Sequence, residues 1–170
     1  MGPAPRPRDV HRYSVRCHWS GSTGAGYEAY DRAHEGSAPP AAGTLRLSAD
    51  PAFRGDPGRL NPEQLVVLAA SSCQLLSFLA VAARARIEVL RYVDEAEATM
   101  PEDDPPTRLT SIVLRPTIWV APGTSEARVR HLVDVAHCEC YVANSLRTEV
   151  RVEPAVVVGP PPALAAPGDA

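Results

Sequence analysis

The chain has 170 residues, 45% of them hydrophobic, with 17 basic and 20 acidic residues and a formal net charge of −3. That composition suits one globular domain with a core of its own, and it excludes a disordered chain. The single, scattered arginines form no basic stripe of the kind that nucleic-acid binding requires, so no nucleic-acid partner is expected.

Residues 1–10 are Pro-rich, and residues 159–170, GPPPALAAPGDA, are alike. Both read as disordered tails around a folded domain of residues 11–158. The first residues show no apolar h-region, so no secretory signal is expected there. The four cysteines, Cys17, Cys73, Cys138 and Cys140, then suit a reducing cytoplasmic setting, where thiols are buried, catalytic or metal-bound.

Tyr13 to Trp19 alternates and predicts a strand; Gly21 to Gly26 predicts a turn, with Tyr27 to Arg32 returning as the second strand and Thr44 to Ser48 as a third. Asp50 to Leu60, dense in Pro and Gly, predicts a loop. Asn61-Pro62-Glu63 then opens a helix, since Asn favours the N-cap and Pro the first helical position. The helix is expected to reach about Arg86. Leu65 to Ala83 carries no charge over 19 positions, close to the length of a membrane span. The polar cluster Ser71, Ser72, Cys73, Gln74 and Ser77 at its middle points instead to a helix buried in the domain and covered on every side. A small monomer cannot easily cover such a helix, which favours a dimer with the helix between subunits.

Glu88 to Thr99 predicts a strand, as does Thr110 to Ala121, where Pro116 marks an edge or bulge. Thr124 can cap a second helix from Ser125 to Val142, with Cys140 keeping helical spacing. Arg147 to Val158 predicts a last strand. The order β-β-β-α-β-β-α-β is not a strict βαβ alternation, so the expected class is α+β with a mixed or antiparallel sheet.

Cys73 and Cys140, read singly, are small core hydrophobes as readily as reactive groups. His137, Cys138 and Cys140 invite a metal reading, but helical positions i and i+2 do not face each other and no second cluster completes a tetrahedral set. Cys17 reads as a strand residue without a role, and His34 and His137 as ordinary polar residues.

Two motifs together say more. Asn61-Pro62-Glu63-Gln64-Leu65 with Ala69-Ala70-Ser71-Ser72-Cys73, and Ala136-His137 with Cys140-Tyr141-Val142-Ala143-Asn144-Ser145, resemble the paired cysteine signatures of the OsmC/Ohr family. Ala52 to Pro57 and Val113 to Pro116 also look like its OsmC branch. The resemblance runs from about Arg12 to Pro154. It implies the OsmC-like fold, an intertwined α+β homodimer with two long central helices and active sites at the subunit interface. It further implies a thiol peroxidase of organic hydroperoxides, without metal, flavin or other cofactor; on the buried-helix reading above, no membrane partner is expected. Cys73 would be the peroxidatic and Cys140 the resolving cysteine, reset by a dithiol reductant, with Glu63 as the active-site glutamate. The family's arginine would be Arg54 or Arg32.

Such an arginine would favour the thiolate, the form that attacks, against the cost of burial, and a glutamate would hold its planar fork in place. Leu65, Val66, Leu76 and Phe78 are the expected apolar lining, suited to a fatty or aromatic hydroperoxide. Glu63 and Cys73 are separated by roughly 15 Å of rise on a straight helix. Either the helix breaks or the arginine spans the gap. Cys138 lies outside the pattern, and Gln74 stands where the family often has an aromatic residue or His, a change expected to reshape the pocket. The alternatives are a non-catalytic ligand-binding protein on the same fold and a redox sensor.

Overall fold

The computed structural model describes residues 10–163; most of both expected tails lies outside the described residues. The chain divides into two compact units, with the boundary between Pro62 and Glu63.

In the first unit Arg16–His18 (β1), His34–Ser37 (β2) and Leu45–Leu47 (β3) form an antiparallel sheet in the order β1-β2-β3. Cys17 is an exposed β1 residue paired with Gly36. The expected second strand is displaced, because Tyr27 to Tyr30 is a turn. The turn is held by its own side chains. Arg32 donates to the carbonyls of Tyr27 and Tyr30 and lies over both rings, 4.8 and 3.8 Å from their centroids. Trp19 Nε1 donates to the Asp31 carbonyl at 2.7 Å. A side-chain knot of this kind outweighs the strand preference of the tyrosines, which is weak and context-dependent. The expected loop carries one 3-10 turn, Pro51–Phe53, capped by Asp50, whose carboxylate accepts from Ala52 N. Asn61, buried just before the long helix, donates from Nδ2 to Asp50 Oδ2 at 3.2 Å.

In the second unit Pro62–Arg84 (α1) is an unbroken helix of 23 residues, with Pro62 in the first helical position as anticipated. The three long strands expected after it are all present, but each is cut in two at one level. They are Val89–Asp94 and Glu97–Thr99 (β4, β5), Ser111–Leu114 and Pro116–Val120 (β6, β7), and Glu149–Val152 and Ala155–Val158 (β8, β9). The halves form two mixed sheets, β4-β7-β9 and β5-β6-β8, each with one antiparallel and one parallel pairing. Pro154 lies in the gap of the last strand and Pro116 opens β7 just after the gap at Arg115, and a proline cannot donate to the ladder; the gap at Glu95–Ala96 holds no proline. Arg115 closes the crease between the half-sheets, reaching Glu97 at 2.6 Å and Glu153 at 3.2 Å.

The second expected helix stops early. Glu126–Cys138 (α2) is capped by Ser125 rather than Thr124. At its end Cys140 N turns back to the His137 carbonyl at 3.1 Å. Cys140 is therefore not a helical residue; it is the extended N-cap of a short helix, Tyr141–Ser145 (α3).

α1 lies over both half-sheets. Phe78, Val81 and Ala82 pack with Ile118, Val120 and the buried face of α2, while Ala70 packs with Ile112 and Leu114 and is fringed by Val66, Val142 and Leu146. The helix is long and apolar enough to cross a membrane by length and composition, and 28% of its most apolar stretch is buried within the chain. The expected all-round covering is thus not supplied by one chain: Leu68, Leu76 and Leu79 are 57%, 64% and 39% exposed. A helix buries only the face its own chain packs against, and two apolar clusters cover one side.

Candidate active site

Two thiols meet where α1 passes the α2–α3 junction. Cys73, in the middle of α1, is half-buried; Cys140 is 1% exposed. Both are free thiols, near enough for each to bear on the other's charge. Val142 N donates to Cys73 Sγ at 3.5 Å. The backbone N–H groups of Val142 and Ala143, at the start of α3, lie beside the Cys140 thiol. Burial nevertheless pushes the Cys140 thiol above its ordinary range; the backbone donors pull it down, and the neighbouring Cys73 adds to the rise. The break after α2 makes this meeting possible, because it lifts Cys140 out of helical register with Cys138.

An open pocket of about 520 Å³ leads to Cys73. Leu76, Ser77, Ala80 and Arg84 continue its wall along α1, and Tyr141 and Val142 face them from α3. The spacing of these α1 positions is that of one helix face. Arg84 closes the far end in an ion pair with Glu139 at 3.1 Å. It stands eleven residues from Cys73, roughly 16 Å along the axis, and does not serve the thiol directly. Periodicity from Cys73 could have found this stripe, since eleven residues complete three turns.

The expected lining holds only in part. Leu76 lines the pocket, whereas Phe78 is in the first apolar cluster and Val66 at the edge of the second. Gln74 does not reshape the pocket either. It is fully buried on the opposite side, donating from Nε2 to the Val133 carbonyl at 3.2 Å. Cys138 is exposed at the end of α2, and its carbonyl accepts from Asn144 Nδ2 at 2.9 Å. His137 is half-buried, with Nδ1 unpartnered.

Glu63 sits in the first turn of α1. With α1 unbroken, a helix break cannot bring its carboxylate to Cys73. Arg32 and Arg54 belong to the first unit. Arg32 is held in its tyrosine turn, and Arg54 forms an ion pair with Glu28. His34 Nδ1 bonds the Arg32 carbonyl at 2.8 Å. Among the described residues no three His, Cys, Asp or Glu side chains gather as a metal-binding set.

Fold and site together define an α+β protein with one thiol in the wall of an apolar pocket and a second buried beside it. The chain belongs to the OsmC-like protein family, whose model matches residues 55–155. It is similar in structure to an OsmC-like protein of unknown function from Vibrio cholerae, with 29% identity and a TM-score of 0.76 over 85% of this chain and 99% of that one. An organic hydroperoxide resistance protein from Elizabethkingia anophelis shares 17% identity and a TM-score of 0.66 over 89% and 99% of the two chains. The organic hydroperoxide resistance protein OhrB of Bacillus subtilis shares 16% identity and a TM-score of 0.58 over 86% and 98%. These likenesses confirm the expected OsmC-like fold. No curated protein matches the sequence.

Proposed function

We propose that this protein is a thiol-dependent peroxidase that reduces organic hydroperoxides to alcohols. The observation that carries the reading is Cys73 in the wall of the pocket with Cys140 buried beside it, where Val142 N, two residues from Cys140, donates to the Cys73 sulfur. Family membership and the hydroperoxide-resistance proteins of the same fold support it.

The chemistry follows from the arrangement. The Cys73 thiolate attacks the outer peroxide oxygen. An S–O bond forms, the O–O bond breaks, and the alkoxide leaves and takes up a proton as the alcohol. Cys140 then attacks the sulfur of the Cys73 sulfenic acid; the S–S bond forms and hydroxide leaves as water. A dithiol, small or protein-borne, returns both thiols. The leucine and alanine stripe along α1 suits an organic chain better than hydrogen peroxide. The family resemblance assigns an arginine, Arg54 or Arg32, to the thiolate, with Glu63 acting through it. The exposed leucines of α1 support a homodimer in which a second copy covers that helix, and the chemistry suits a reducing cytoplasm.

The test is consumption of cumene hydroperoxide with a dithiol reductant. Cys73→Ser is expected to abolish turnover. Cys140→Ser is expected to leave Cys73 prone to over-oxidation to the sulfinic acid. Full activity in Cys73→Ser would end this reading; no rapid loss of thiols in the wild type would move it to a ligand-binding protein.

A further inference from the structure

We propose that the Arg84–Glu139 ion pair is a positioning clamp, which keeps Cys140 within reach of the Cys73 sulfur for disulfide closure. The clamp rests on the peroxidase reading above and adds to it what sets the rate of the second step.

The two thiols are carried by different elements. Cys73 is in the middle of α1, and Arg84 is the last residue of the same helix. Cys140 lies in the α2–α3 junction, and Glu139 is the residue directly before it. The ion pair, 3.1 Å from Arg84 Nη2 to Glu139 Oε2, therefore joins the helix of one thiol to the chain segment of the other. Both side chains line the pocket that leads to Cys73. α2 itself is fixed to α1 by other means: its apolar face is in the first core cluster, Gln74 Nε2 reaches the Val133 carbonyl, and Arg128 Nη2 reaches the Ala85 carbonyl at 2.9 Å. The junction beyond it is braced from within. Asn144 Nδ2 donates to the Cys138 carbonyl at 2.9 Å and Cys140 N to the His137 carbonyl at 3.1 Å, so residues 138–144 form a closed loop with Cys140 inside it. α3 has no buried residue. A loop closed on itself keeps its shape but not its place, and Glu139 is the handle by which α1 holds it.

Closure is unimolecular, so its rate follows the fraction of time the two sulfurs stand at bonding range. A misplacement of about 1 Å can slow such a step on the order of 10²-fold. In that step the Cys140 sulfur attacks the sulfur of the Cys73 sulfenic acid; the S–S bond forms, the S–O bond breaks, and hydroxide leaves with the thiol proton as water. Neither member of the ion pair exchanges a proton or an electron in it. Arg84, roughly 16 Å from Cys73 along the helix axis, acts only through Glu139. The two side chains are 66% and 54% exposed, so the pair adds little to stability and is weakened by salt. Its effect on closure is therefore separable from folding.

Rapid mixing of the reduced protein with cumene hydroperoxide, quenched and mapped for the Cys73–Cys140 bond, isolates closure as the phase whose rate does not depend on hydroperoxide concentration. Arg84→Gln and Glu139→Gln are each expected to slow that phase about fivefold or more, with Tm nearly unchanged. The double variant is expected to close no slower than either single one, because the shared contact is lost only once. Raising the salt concentration is expected to slow wild-type closure toward the rate of the variants, which do not respond to it. Arg108→Gln removes the same charge from another exposed pair, with Asp104 at 3.0 Å, and is expected to close as wild type. Closure at the wild-type rate in either single variant, losses that multiply in the double variant, wild-type closure indifferent to salt, or the same loss in Arg108→Gln overturns the clamp and leaves the peroxidase reading standing. If hydroperoxide does not oxidise Cys73 in the wild type, closure is followed with diamide, whose adduct on one thiol is displaced by the other. Slower closure in the two single variants then keeps the clamp while the peroxidase reading falls, and an unchanged rate overturns both.

Discussion

A single missing atom group shapes the loop before α1. Gly55 N donates to the Asp50 carbonyl at 3.0 Å, and a Cβ added at Gly55 would stand 1.6 Å from the Ala49 carbonyl oxygen. Backbone cannot yield as a flexible side chain can. Gly55→Ala is therefore expected to destabilise the protein by about 1–3 kcal/mol, the usual cost of overpacking, read as a lower Tm. At this scale the sequence spoke clearly through motifs. Asn61-Pro62-Glu63 marked the start of α1, and Cys73 and Cys140 were singled out as a pair that does meet. Arg84 and Glu139 were silent, because nothing in a helix pattern says which charged tips of distant segments meet. Gln74 was noticed as a departure but placed on the wrong side, since a helix that is apolar all round does not reveal which face packs.

Among the elements, the three interrupted strands show where local reading stops. Pro116 was read as an edge or bulge, yet the cuts at the same level in the flanking strands depend on pairing between distant segments. Arg115 binds the three cuts together. Its hydrogen bond and charge hold the Glu97 carboxyl below the usual glutamate range. A carboxyl depressed in the folded state adds stability above its unfolded pKa and loses it as pH falls through the folded value. Wild-type stability should therefore carry a contribution from Glu97 that fades on acidification below about pH 4.5. Arg115→Ala is expected to flatten that limb of the acid titration of stability, with little change at high salt, where exposed pairs are screened. Urea titrations at a series of acidic pH values measure it; an unchanged acid limb would deny Arg115 this role. The early end of α2 was equally hard to foresee. Apolar spacing runs through Cys140, and only the turn closing back on His137 breaks the register.

For the whole molecule, the open leucine face of α1 is the dominant feature. Leu68 is 57% exposed and does not line the thiol pocket. If a second copy covers this face, burying each leucine contributes about 1.5–3 kcal/mol. Leu68→Glu is then expected to weaken the dimer by tenfold or more, read by sedimentation at micromolar concentration, with the monomer still folded by circular dichroism. A monomeric wild type would remove the homodimer from the proposal. The class, α+β with a mixed sheet, was legible from the order of elements, and the family from its two cysteine motifs. The uncovered side of α1 was legible only as an excess of apolar residues, because composition counts them without saying which its own chain will cover.

The crease across the strands also divides the molecule in time. Ladder pairing ends at Asp94–Pro116 and resumes at Glu97–Val113, so the two half-sheets can open as separate cooperative blocks in amide exchange. α1, bonded without interruption above both, is the spine that either block must leave behind, and the thiols stand where that spine passes from one block to the other. A disulfide closed there would fasten the spine to the α2–α3 junction and slow the fluctuations of both blocks at once.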